Sequence, residues 1–97
     1  MNKLADIIWR DNQFHITGEL NFANVMAVYE KSLPQFNQCS ELILDFSQLI
    51  SSDSAGLALI IEWIKFSKQR NKPIQLIHLS RDIMSIAKAA GMDGLLA

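Results

Sequence analysis

The chain has 97 residues, of which 49% are hydrophobic and 20% charged, and its formal net charge is −1. These values suit a single globular domain and exclude an intrinsically disordered chain; without a basic excess, recognition of nucleic acid through phosphate neutralisation is excluded too. Cys39 is the only cysteine, so there is no disulfide framework and no thiolate metal site.

A chain of this length can hide about 60–65% of the surface its unfolded form exposes, enough for one core without staples. No stretch reaches the ~18 apolar residues of a membrane span, because Glu62 and Lys65 interrupt the longest one. The segment MNKLADIIWRDN holds no apolar run of signal-peptide length. The expectation is a cytoplasmic protein with no direct membrane insertion, reaching a membrane only through a partner.

In chain order, Ile7, Ile8 and Trp9 predict a short strand, and RDNQ a polar turn of hairpin length. In FHITGEL, Phe14, Ile16, Gly18 and Leu20 alternate with His15, Thr17 and Glu19, which predicts a strand with one face inward. Asn21 can cap the next element. Phe22, Val25, Met26, Tyr29 and Leu33 then share one helical stripe, and Pro34 is placed to stop the helix.

Leu42, Ile43 and Leu44, followed by Asp45 and Phe46, predict a buried central strand. A helix follows from about Ser54 to Gln69, then the turn RNKP and a strand in IQLIHL. Ser80 or Asp82 can open a last helix with Ile83, Ile86, Ala87 and Ala90 on one face and Gly91 as its terminator. The order β-β-α-β-α-β-α predicts an α/β fold over residues 1–97: an antiparallel hairpin, then parallel strands joined by helical crossovers.

The chemistry concentrates at the head of the long helix. Ser52, Asp53 and Ser54 can each accept from the free N–H groups there, and Gly56 lets the backbone approach a neighbour. Such a stretch is a good N-cap and needs no other role. It can equally be a phosphoacceptor, since a phosphate at Ser54 would gain from the helix dipole and add about −1.5 to −2 charge beside Asp53. Composition does not choose between the two.

The same helix is oily on two sides. At ~100° per residue, Leu57, Ile60, Ile61 and Ile64 line one side, whereas Leu59, Trp63 and Phe66 line nearly the opposite one. A helix lying on a sheet buries one face, so the second stripe needs cover from another element or another protein. Taken with Ser54, it is expected to be a partner interface.

Catalysis has little to build on. Ser52 occupies the leading glycine position that a G-x-S-x-G motif around Ser54 would need; His15 and His78 fall in strand patterns; and there is no phosphate loop or metal-ligand cluster. The expectation is a protein that is not an enzyme and uses no cofactor or metal.

Three segments carry a family resemblance: TGEL at Thr17–Leu20, LILDFSQ at Leu42–Gln48 and DSAGLALI at Asp53–Ile60. With the element order, they make the chain similar to the STAS domain, the fold of anti-sigma-factor antagonists and of sulfate-transporter tails. The resemblance implies a motif Asp53, Ser54, Ala55, Gly56 whose hydroxyl residue, Ser54, is the regulatory phosphoacceptor in the antagonist branch. Antagonists often carry a second serine where this chain has Ala55. The short length, the basic Lys65, Lys68 and Arg70 late in the helix, and the end soon after AAGM resemble the MlaB-type branch. That likeness implies a subunit that binds and supports the cytoplasmic ATPase of a phospholipid ABC transporter maintaining outer-membrane lipid asymmetry, at the inner membrane beside the transporter's permease. The other branch implies an anti-sigma kinase as partner, with binding regulated by phosphorylation of Ser54.

Overall fold

A computed structural model describes residues 4–96 of the chain. The elements are β1 (Asp6–Arg10), β2 (Gln13–Leu20), α1 (Val25–Asn37), β3 (Leu42–Asp45), β4 (Leu49–Ser52), α2 (Ser54–Gln69), β5 (Ile74–Ile77) and α3 (Arg81–Ala89), followed by a 3-10 turn over Asp93–Leu96. This is the expected α/β order with one short strand, β4, added before α2. LISS is too short and too polar to announce itself as a strand, yet it pairs parallel with the end of β2.

The sheet runs β1-β2-β3-β5, with β4 also beside β2. β1 and β2 form the expected antiparallel hairpin, from Asp6 opposite Thr17 to Arg10 opposite Gln13. Its turn, Asp11–Asn12, has positive φ at both residues, 55° and 63°, which matches the twist of the two strands. β3 is central, parallel to β2 on one side and to β5 on the other. Gly18 adopts φ 81° at the register shift between β2 and β4, and a Cβ there would lie 2.2 Å from the Leu4 carbonyl oxygen. Only glycine fits that bend.

The strand alternation sorts the sheet into two faces. Ile7, Phe14, Ile16, Leu20, Leu42 and Leu44 lie in the core with the helices. On the other face Ile8 is exposed, Thr17, Ile43 and Ile77 are half-buried, and His15 and Asp45 are buried.

Two expectations about α1 are corrected. The helix passes through Pro34 and ends at Asn37. Proline forfeits one backbone hydrogen bond, but the extra turn carries Phe36 into full burial, where its ring centroid sits 4.8 Å from Phe14, 5.7 Å from Trp63 and 5.9 Å from Phe66. The most deeply buried line is Val28, Ser32 and Phe36; of the expected stripe, Val25, Tyr29 and Leu33 pack half-buried against the core, whereas Phe22 and Met26 are exposed. In α3 the buried residues are Ile83 and Ala87, whereas Ala90 lies past the helix end and is exposed. Ser80 caps α3 by accepting from Ile83 N–H at 3.2 Å, and Gly91 follows with φ 71°.

The expected second surface of α2 does not exist. Leu59, Trp63 and Phe66 are buried, as are Leu57 and Ile60 on the other side. The reason is the position of α2, which packs against both α1 and α3. A middle helix has three apolar neighbours: the sheet below and a helix on each flank. Trp63 meets α1 directly, its indole N–H donating to Ser32 Oγ at 2.9 Å. The stripe read as a recognition face is therefore the seam between α1 and α2.

Candidate functional site

What α2 leaves to solvent is a single strip. Ser54, Ala58, Glu62, Lys65, Lys68 and Gln69 are exposed, and the first three follow one another at helical spacing down from the N-terminus. Ser54, the hydroxyl residue singled out from the sequence, is the first residue of the helix and stands at the top of this strip.

The residues around Ser54 build a rigid seat for it. Asp53 is the N-cap, and its carboxylate accepts from Ala55 N–H at 2.8 Å. Its backbone N–H donates to Leu20 O at 3.2 Å, which fastens the helix start to the end of β2. Ala55 and Gly56 are buried beneath. A Cβ on Gly56 would lie 1.8 Å from Ser52 Oγ and 3.1 Å from Ser52 Cβ, so the helix approaches β4 as closely as the backbone allows. The four motif residues thus divide the work: Asp53 caps, Ala55 and Gly56 pack, and Ser54 is presented outward.

Beside the strip lies an apolar groove of about 470 Å³ between the starts of α1 and α2. Phe22, Met26 and Tyr29 form one wall; Ala58, Leu59 and Glu62 form the other. Phe22 is 77% exposed and Met26 63% exposed. The sequence reading missed this surface because it turned Phe22 and Met26 inward with the rest of their stripe. The competing line Val28–Ser32–Phe36 was the available signal, since it places a phenylalanine at the core end of the same helix. Of the expected interface residues, the structure keeps Ser54 at the surface, leaves Leu59 buried with only an edge lining the groove, and removes Trp63 and Phe66 to the interior.

A second polar cluster sits on the open side of the sheet, where β2 and β3 pair His15 with Asp45. His15 Nε2 donates to Arg10 O at 3.2 Å, and its Nδ1 lies 3.6 Å from Asp45 Oδ2. Asp45 Oδ1 accepts from Ser47 N–H at 2.8 Å. Burial alone would raise the Asp45 pKa, but the Ser47 hydrogen bonds and the nearby His78 and His15 together hold it below the ordinary carboxylate value. His78 is exposed just beyond β5, with φ 57°. Among the described residues, no group of three or more His, Cys, Asp or Glu side chains is placed to hold a metal ion. No helix among them is long and apolar enough to cross a membrane.

No curated protein matches the chain by sequence. Among solved structures, the anti-sigma factor antagonist SpoIIAA in its unphosphorylated form superposes with a TM-score of 0.71 at 17% identity, over 94% of this chain and 84% of that one. At that identity the likeness concerns the fold. The sequence model of the family described as "Mlab, STAS domain" matches residues 9–97. With TGEL on β2, LILDFSQ running from β3 into the β4 turn, and DSAG seating an outward serine at the head of α2, the chain belongs to the STAS domain family.

Proposed function

We propose that this STAS domain is a non-catalytic subunit that binds and supports the cytoplasmic ATPase of a phospholipid ABC transporter, held at the inner membrane through that partner. The observation that carries the reading is the family match, whose description is MlaB and which spans residues 9–97. The docking surface in this reading is Ser54 with Ala58 and Glu62 on α2, and the groove walled by Phe22 and Met26. An exposed apolar cleft beside a presented hydroxyl suits a partner helix or loop that inserts one apolar side chain and meets Ser54 at its rim.

A second reading is favoured by the superposition on an anti-sigma factor antagonist. Here the partner is an anti-sigma kinase, and a phosphate on Ser54 switches binding off. Ser54 is exposed at the first helical position, where a phosphate is electrostatically welcome in the free protein. Added charge next to Asp53 and an apolar groove would repel a partner packed there.

Affinity purification of the tagged protein from its native host, with mass spectrometry of what co-purifies, separates the two. Recovery of an ATPase with its permease supports the transporter subunit. Recovery of a small kinase, without the ATPase, overturns it in favour of the antagonist.

A further inference from the structure

β1 is an edge strand: among the described residues it pairs only with β2. It is also poorly guarded. Ile8 is 40% exposed on the open face of the sheet and Trp9 is 46% exposed on the helix face. An exposed apolar edge is a template for further strand pairing.

The backbone polarity of this edge follows from its hairpin. In a two-residue hairpin the residues flanking the turn, here Arg10 and Gln13, form a hydrogen-bonded pair. By alternation Asp6, Ile8 and Arg10 direct their N–H and C=O groups to β2, and Ile7 and Trp9 direct theirs outward. Ile7 N–H follows that direction, donating to the Asp6 carboxylate at 2.8 Å.

We propose that β1 is a self-association edge, pairing antiparallel with β1 of a second copy of this chain about a two-fold axis at Ile8. The occupant is specified by charge. In this register Asp6 stands opposite Arg10 of the second copy at both ends, on the same face, with Ile8 opposite Ile8 between them. Opposite charges directly across a ladder are the favoured arrangement, and a two-fold interface needs a self-complementary strip of this kind. Ile7 and Trp9 exchange four backbone hydrogen bonds with Trp9 and Ile7 of the other copy, and Trp9 gains cover for its exposed ring. No other strand among the described residues, of whatever length, carries an acid at one end and a base at the other.

The single copy holds this edge partly closed. Asp6 accepts from Lys31 of α1 as well as from Ile7 N–H, so association must free Ile7 N–H and share the carboxylate with an incoming Arg10. Arg10 has only a 4.0 Å contact with the exposed Asp11 to give up. A five-residue strand spans about 17 Å and buries well under the ~800 Å² per partner of a standard stable interface. The dimer is therefore weak, concentration-dependent and weakened by salt.

Sedimentation equilibrium of the whole chain at low salt, from about 10 µM to 1 mM, is expected to show a monomer–dimer equilibrium that 0.5 M salt shifts at least several-fold toward monomer. Arg10→Asp and Asp6→Lys each place like charges at both ends and are expected to be monomeric. Mixed one to one, they restore charge pairing and are expected to associate as a heterodimer, with circular dichroism establishing that each is folded. A wild type that stays monomeric throughout overturns the proposal, as do single variants that dimerise like wild type or folded variants that ignore each other. A readout without variants is amide exchange at Trp9, expected to slow with rising protein concentration; a rate independent of concentration overturns the proposal as well.

Discussion

Trp63 illustrates how one residue can satisfy two readings of a sequence and belong to only one. Its type suits an interface hot spot, and its helical phase sets it away from Leu57. In the fold it is completely buried, with Phe36 at 5.7 Å and its N–H on Ser32 Oγ, which in turn donates to Tyr29 O at 2.6 Å. Trp63→Ala should therefore cost about 3–5 kcal/mol of stability through the cavity it opens, read as a lower urea midpoint. A variant that melts normally but loses a partner would restore the recognition face. Ser54 behaves in the opposite sense. Ser54→Asp puts a carboxylate on the first turn of α2, where the helix dipole accepts it. Stability should change by less than about 0.5 kcal/mol, while recovery of the native partner on affinity resin falls at least tenfold. Equal recovery by the Asp variant would remove Ser54 from the docking surface.

At the level of elements, what the sequence announced and what it withheld have one cause. Periodicity reports whether a side of an element is apolar, and it does not report what covers that side. The bounds of α2, the β1–β2 hairpin and the central place of β3 were legible because each depends on a local pattern: an N-cap at Asp53, polar residues at Asp11 and Asn12, an apolar run at Leu42–Leu44. The seam between α1 and α2 was not legible, because it depends on Phe36 lying beyond a proline that local rules treat as a stop. Once Pro34 is taken as the end, α1 loses its anchor, and its inward face is centred on Val25, Tyr29 and Leu33, which pack half-buried beside the fully buried line Val28, Ser32 and Phe36. The same slip hid Phe22 and Met26. These two now give the test of the groove. Phe22→Asp with Met26→Asp removes exposed apolar surface and should leave the melting temperature within about 3 °C of wild type. Partner capture should fall as far as it does with Ser54→Asp. A double variant that captures its partner normally would leave the groove without a role and restrict docking to the strip on α2.

For the whole molecule, acid is the condition that tests how distant elements are tied. Asp6 links β1 to α1 through Lys31, and this hydrogen bond is the main reason its pKa lies below the ordinary value, against a smaller opposing effect of burial. Asp45 is buried at the β2–β3 pairing, where desolvation is outweighed by the Ser47 hydrogen bonds and the charges of His78 and His15. Both carboxyls hold a proton less tightly folded than unfolded. Each thus contributes stability that is fully present above the unfolded carboxylate pKa of about 4 and is lost as pH falls through the lower folded value. The urea midpoint should be level from about pH 7 to pH 5 and then decline toward pH 3. Asp45→Asn should lower the neutral plateau, because a neutral amide accepts from Ser47 more weakly than the carboxylate does, and it should also make the acid decline shallower. The two curves then converge at low pH, where wild-type Asp45 has itself lost its charge. Lys31→Met should do the same through Asp6, by less, since that pair is half in solvent and screened. Parallel curves, with a constant gap from pH 7 to pH 3, would mean that Asp45 supports the sheet by its shape alone and that its charge contributes nothing to holding β2 against β3.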